Sequence, residues 1–190
     1  GTLSTSGVAL SFSTATVQPR LTLNSTTVPG TYTVPLGDSL VLLHGSPTMT
    51  LVNNGRLVLL GSPTVNGAVT TSATSVIEVR GNGAYNSANG TITNGFTNNG
   101  AIELTSYDAG YSAQLTVTTG TLTNAAAGTI TAFVGALGAR TLAAELNNQG
   151  TIAVAAALTL TKASAAHVNS GIINVTGGTF TVTQSGTTPT

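Results

Sequence analysis

The chain has no cysteine among its 190 residues, and only five Lys or Arg and five Asp or Glu. Without cysteine there is no disulfide framework and no thiolate metal site. The charged share is 5%, against about a quarter in an ordinary globular chain. Formal net charge is zero and no basic patch occurs, so nucleic acid is not an expected partner, because binding it uses Lys and Arg to displace counterions. The same shortage argues against attraction to anionic membranes. No run reaches the ~18 consecutive apolar residues of a membrane-spanning helix, so no membrane insertion is expected. No signal peptide stands at Gly1; a secreted protein would be represented here by its mature chain or an excised fragment.

The hydrophobic share, 41%, is ordinary, which separates this chain from disordered sequences of low hydrophobicity and high charge. Its length suits one domain with a continuous core. Thr, Ser, Asn, Gly and Ala fill the places charges usually take, so the surface is expected to be neutral and built of hydroxyls and amides.

One phrase recurs: Asn, up to three small residues, Gly, then an aliphatic one or two positions on. It reads Asn53-Asn54-Gly55-Arg56-Leu57, Asn89-Gly90-Thr91-Ile92, Asn98-Asn99-Gly100-Ala101-Ile102 and, more loosely, Asn124 to Ile130 through Gly128. It returns at Asn147-Asn148-Gln149-Gly150-Thr151-Ile152 and Asn169-Ser170-Gly171-Ile172-Ile173. From Gly100 the glycine-to-glycine steps are 28, 22 and 21 residues. Earlier, Leu40 to Thr48 is echoed by Leu57 to Thr64 at an offset of 17 that falls to 16 at the prolines, which reads as a one-residue insertion at His44. Between these corners, Leu115-Thr116-Val117-Thr118, Leu158-Thr159-Leu160-Thr161 and Phe180-Thr181-Val182-Thr183 alternate with period two, the pattern of strands buried on one face. The corner residues Asn54, Gly55, Asn99, Gly100, Gly128, Asn148, Gly150, Asn169 and Gly171 are expected to turn the chain, since Gly and Asn tolerate positive φ.

Repeats of ~17–28 residues with short strands suit turns of a parallel β-solenoid, whose inward aliphatics form a narrow core. Corner asparagines can then stack into ladders. Arg140 to Leu146 has helix-favouring residues but lies between repeats and reads as strand or corner. Residues 1–39 are less regular and proline-rich, an expected cap or subunit-contact region with strands at Val8 to Phe12, Leu21 to Leu23 and Tyr32 to Val34. The solenoid is expected over residues 40–184, with residues 185–190 as a tail.

The Asn-x-Gly-x-Ile corners and Thr-rich strands resemble the right-handed parallel β-helix repeats of large bacterial surface proteins, the filamentous-haemagglutinin-type adhesins and autotransporter passenger domains. That resemblance implies an exported protein acting in adhesion or as a spacer, and it carries over strands and corners but no functional residue.

Ten scattered charges leave little for catalysis, so no enzyme activity, catalytic residue or cofactor is expected. His44 and His167 have no second ligand at metal spacing. Glu103 and Asp108 are the nearest acidic pair in sequence, and paired carboxylates are what glycoside hydrolysis needs. Tyr107 and Tyr111 flank Asp108, and an aromatic beside an acid can stack on a sugar, so Tyr107, Asp108 and Tyr111 are candidate glycan contacts. Glu78 and Arg80, two apart on a strand, are expected to form a surface ion pair. Sequons at Asn24, Asn89 and Asn174 could be glycosylated in a suitable host. Thr-x-Thr triplets at Thr31, Thr48, Thr91, Thr129 and Thr181 suggest an ice-binding alternative, although their uneven spacing points to different faces. A further alternative is a polysaccharide-binding or -cleaving β-helix.

Few charges and no amphipathic capping helix leave solenoid ends free to pair. The expectation is therefore an extracellular structural protein of a surface filament or fibre-like adhesin. Its partners would be copies stacked end to end or flanking repeats of a longer chain, together with a glycan or cell-surface receptor.

Overall fold

A computed structural model describes residues 2–10, 20–108 and 110–186. Those residues form nineteen strands and no helix. Of the expected strand Val8 to Phe12, residues 8–10 are not strand and make only an isolated bridge from Ala9 to Thr27, while the rest lies outside the described residues; the expected tail passes outside them after residue 186.

The strands lie on three faces of a parallel β-solenoid. Face I stacks nine strands: β1 (Thr2–Ser6), β2 (Arg20–Asn24), β4 (Ser39–Gly45), the start of β6 (Arg56–Val65), β8 (Val76–Gly81), β11 (Ala101–Ser106), β13 (Thr129–Ala132), β15 (Thr151–Val154) and β18 (Ile172–Val175). Face II stacks the end of β6 on β9 (Ala88–Asn94), then β12 (Ala113–Asn124), β14 (Arg140–Asn148), β16 (Leu158–Thr161) and β19 (Phe180–Thr183). Face III begins with β3 (Thr31–Val34), β5 (Thr50–Asn53) and β7 (Val69–Thr71). It continues through β10 (Thr97–Asn98), the ends of β12 and β14, and β17 (Val168–Asn169). Every strand pair is parallel, and residues 20–34 stack on the rungs that follow them. Arg140 to Leu146 is strand, because alternate positions there point into the core.

Parallel stacking aligns each inward position with its like on the next rung. One column on face I runs Leu21, Leu40, Leu57, Ile77, Ile102, Ile130, Ile152, Ile173. A second runs Leu23, Leu42, Leu59, Val79, Leu104, Ala132, Val154, Val175. The steps along the first column vary from 17 residues (Leu40 to Leu57) to 28 (Ile102 to Ile130). Core register survives because the extra residues go to corners and to a bulge between Thr116 and Thr121.

The early echo pairs differently from its sequence alignment. Leu42 aligns with Leu59 but His44 aligns with Ser62, so the offset rises from 17 to 18 instead of falling. The extra residue lies in β6, not at His44. Gly61 has φ +64, and that left-handed bend carries β6 from face I to face II. His44 lies against Gly61, and its Nδ1 accepts the Ser62 N–H at 3.3 Å.

The corner glycines owe their place to crowding rather than to positive φ. A Cβ on Gly55, Gly100, Gly150 or Gly171 would lie 2.1–2.2 Å from a carbonyl oxygen of the previous rung, and none of these residues has φ in the left-handed region. Beside them runs an asparagine ladder. Asn98 Nδ2 donates to Asn124 Oδ1 (2.8 Å), Asn124 Nδ2 to Asn148 Oδ1 (2.7 Å) and Asn148 Nδ2 to Asn169 Oδ1 (2.7 Å). Each amide also donates to the carbonyl of its corner glycine. Asn98, Asn124 and Asn148 are fully buried, so these bonds offset a desolvation that would otherwise cost about 1–3 kcal/mol per unpaired group.

Replacing Asn124→Ala removes both ladder bonds at its rung and leaves Asn148 Oδ1 without its donor. Urea denaturation should show a loss of about 2–3 kcal/mol. Asn54→Ala, at a corner outside the ladder, should stay within about 0.5 kcal/mol of wild type.

Candidate functional site

Three regions stand out from the regular solenoid. The first is the C-terminal rung. Its inward residues Ile173, Val175 and Val182 are 38, 50 and 53% exposed, whereas Ile152, Val154 and Leu160 one rung earlier are 1, 0 and 4% exposed. Leu146, Ile152, Leu160, His167, Ile173 and Phe180 line a small opening of about 110 Å³ into the core there. Asn169, last in the ladder, is solvent-exposed.

The second region is the corner between faces I and II, where three loops stack on successive rungs. The turn after β8 is closed by Asn82 and Asn86, with Asn82 Oδ1 accepting the Tyr85 N–H. Tyr85 packs on an outward apolar cluster of Leu43, Val58 and Leu60. Asp108 Oδ2 in the next loop accepts the Gly83 N–H at 2.7 Å, and Gly110 N–H donates to Ala136 O in the loop beyond. That third loop, residues 133–139, is built around Arg140. Its side chain is only 1% exposed and occupies the inward position held by Ala113 and Leu158 on the adjoining rungs. The guanidinium donates to the carbonyls of Phe133, Val134, Leu137, Gly138 and Ala139 and to Ser106 Oγ. Burial lowers its pKa from the ordinary arginine value, and the carbonyl cage supplies the acceptors that a buried cation requires. Nothing in the sequence marked Arg140; only the alternation of β14 places it inward.

The third region is the ion network on the outside of face I. Glu78 and Glu103 lie directly opposite each other on adjacent rungs, where like charges repel. Arg56 Nη1 bridges them at 2.8 and 3.0 Å, and Arg80 Nη1 approaches Glu78 at 3.4 Å. Burial acts to lower the Arg56 pKa, but Glu103 and Glu78 outweigh it and raise it overall. The Glu78–Arg80 contact is therefore one edge of a four-residue network, and Glu78 is buried rather than on the surface.

Among the candidate glycan contacts, Tyr107 is well exposed, but Arg80 covers one face of its ring at 4.3 Å. Asp108 is tied to Gly83, and Tyr111 lies half-buried against Gly81 and Gly138. Glu103 and Asp108 serve different partners, Arg56 and Gly83. Asn54 and Asn99 stand at corners, but the inward amides are those of Asn53 and Asn98; a doubled asparagine does not reveal which of its members faces inward. No group of three or more His, Cys, Asp or Glu suited to a metal occurs among the described residues. No helix there is long and apolar enough to cross a membrane.

His167 joins the C-terminal rung to the one before it, with Nδ1 accepting the Leu146 N–H at 3.3 Å. Burial lowers its pKa below 6.5, against the opposing pull of Glu145. The unfolded chain therefore binds more protons just below pH 6.5, and stability falls as the pH drops through that value. Glu145, lowered from 4.5 by the Thr121 hydroxyl and the Ala166 N–H, adds stability that is lost at more acid pH as its carboxylate is protonated. Thermal melts should show the midpoint falling between pH 7 and 5, and His167→Gln should flatten that slope.

No protein-family model, curated protein or solved structure matches this chain.

Proposed function

We propose that this chain is a structural element of an extracellular fibre or surface adhesin, a β-solenoid building block that stacks end to end, with its last rung covered by a further rung in the same parallel register. The observation that carries this reading is the C-terminal rung itself. Its inward columns match those of the rungs before it, yet its aliphatics are open. Three further features support it. Every rung has the same strand polarity, so addition at one end repeats the contact already made between rungs and is head-to-tail, the kind of contact that generates filaments. β1 occupies the same sheet and register as β18, at the opposite end of face I. The ladder is directional, each Asn amide donating to the rung that follows it, so the next rung is one that offers an acceptor to Asn169. The resemblance to bacterial surface repeats and the scarcity of charge to repel a neighbour fit the same role. In the isolated chain, the covering rung is the N-terminal rung of another copy.

A specific arrangement favours a second reading, ice binding. The five triplets named above do divide among faces: Thr31, Thr33 and Thr50 lie on face III, Thr129 and Thr131 on face I, and Thr91 and Thr181 on face II. Face II nevertheless carries two neighbouring outward columns. One holds Thr141, Thr159 and Thr181. The other holds Thr64, Thr91 and Thr116, then Ala143, then Thr161 and Thr183. The spacings are roughly 4.8 Å between rungs and roughly 6.6 Å along a strand, and neither column holds a charged residue, the first running on through Gln114 and Asn89.

Sedimentation and negative-stain electron microscopy separate these readings. For the fibre, the mass should rise with concentration into rods, and Ile173→Lys with Val182→Lys should hold the chain monomeric. A concentration-independent monomer overturns stacking. Ice shaping and thermal hysteresis that disappear in Thr159→Lys are expected only of the second reading, and their absence from the wild type eliminates it.

A further inference from the structure

We propose that a groove at the corner between faces III and I binds a linear, uncharged glycan chain lying along the solenoid axis. The groove holds about 450 Å³ and is lined by residues of four successive rungs, among them Arg20, Leu36, Asp38, Ser39, Arg56 and Val76. Ser39, Arg56 and Val76 form one outward column, and Arg20 precedes Leu21, the partner of Leu40, on the rung before. Three rung spacings make a trough of roughly 14 Å, which suits an extended polymer better than a compact ligand.

Its polar groups are left over from the fold. Arg20 is exposed and has no hydrogen bond or ion pair among the described residues. Arg56 spends only Nη1 on Glu78 and Glu103, leaving Nε and Nη2 uncommitted. Asp38 Oδ2 and Ser39 Oγ are buried without a partner among the described residues. Arg20 and Asp38 offset each other in charge, and Arg56 is offset within its network with Glu78, Glu103 and Arg80, so the lining carries no net charge to select a charged polymer. Such a set suits groups that both donate and accept, as sugar hydroxyls do. Leu36, 69% exposed at the rim, offers an apolar surface to ring C–H groups. This site is separate from the Tyr107 corner and does not depend on rung stacking.

The test is a titration with cellohexaose, followed by backbone amide NMR shifts, with hexagalacturonate as the charged comparison. Arg20→Gln and Leu36→Ser change exposed side chains, and circular dichroism will show that the fold is kept. The expected result is saturable shifts at Arg20, Gly37, Gly55 and Thr74, an affinity at least about tenfold weaker in Arg20→Gln, and no change in Tyr107→Ala. No shifts at millimolar sugar, shifts centred on Tyr107, undiminished binding by Arg20→Gln, or preference for hexagalacturonate would each overturn it.

Discussion

Backbone pairing between parallel rungs is the constraint on which the rest of this structure depends. Once successive rungs bond in register, each inward position meets its like on the rungs before and after it, roughly 4.8 Å away. An aliphatic column then builds its own core, and one wrong residue is felt on two neighbouring rungs. An asparagine column builds a ladder, because the amide carries both donor and acceptor and so passes the bond from rung to rung. The ladder breaks where Thr71 stands between Asn53 and Asn98 in the chain: Thr71 gives its hydroxyl to Thr97 O, and Asn53 Oδ1 and Asn98 Oδ1 are buried without partners among the described residues.

The same constraint accounts for the near absence of charge. An outward column of like charges at rung spacing would cost about 3–4 kcal/mol per contact at a surface-like dielectric. Threonine, serine and asparagine stack without that cost. The one pair of stacked acids, Glu78 and Glu103, is held between Arg56 and Arg80. Five of the chain's ten charges, these four and Arg20, thus lie on face I strands, and the outward threonine columns of face II hold no charged residue.

Much of this was legible in the sequence because repetition is a one-dimensional signal. Alternation in Leu158-Thr159-Leu160-Thr161 gave the strands, and the Asn-x-Gly phrases marked the corners. What escaped were the consequences of three-dimensional register. The glycines at 100, 150 and 171 read as φ-permissive turns but are set by carbonyls of the previous rung. The bulge assigned to His44 lies in β6, because aligning prolines is not aligning rungs. Arg140 looked like one more scattered charge, and only a folded loop of carbonyls gives it a buried place. The threonine columns of face II were hidden because steps of 18 to 27 residues put aligned threonines at unequal sequence intervals.

The central claim is that the C-terminal rung is made to be covered by another rung in parallel register. Amide hydrogen exchange of Ile172–Val175 and Phe180–Thr183, followed as a function of protein concentration, tests it most directly. The account predicts that these edge amides slow with rising concentration toward the protection of Thr151–Val154, and that Ile173→Lys abolishes the change. Fast exchange that is indifferent to concentration would contradict it.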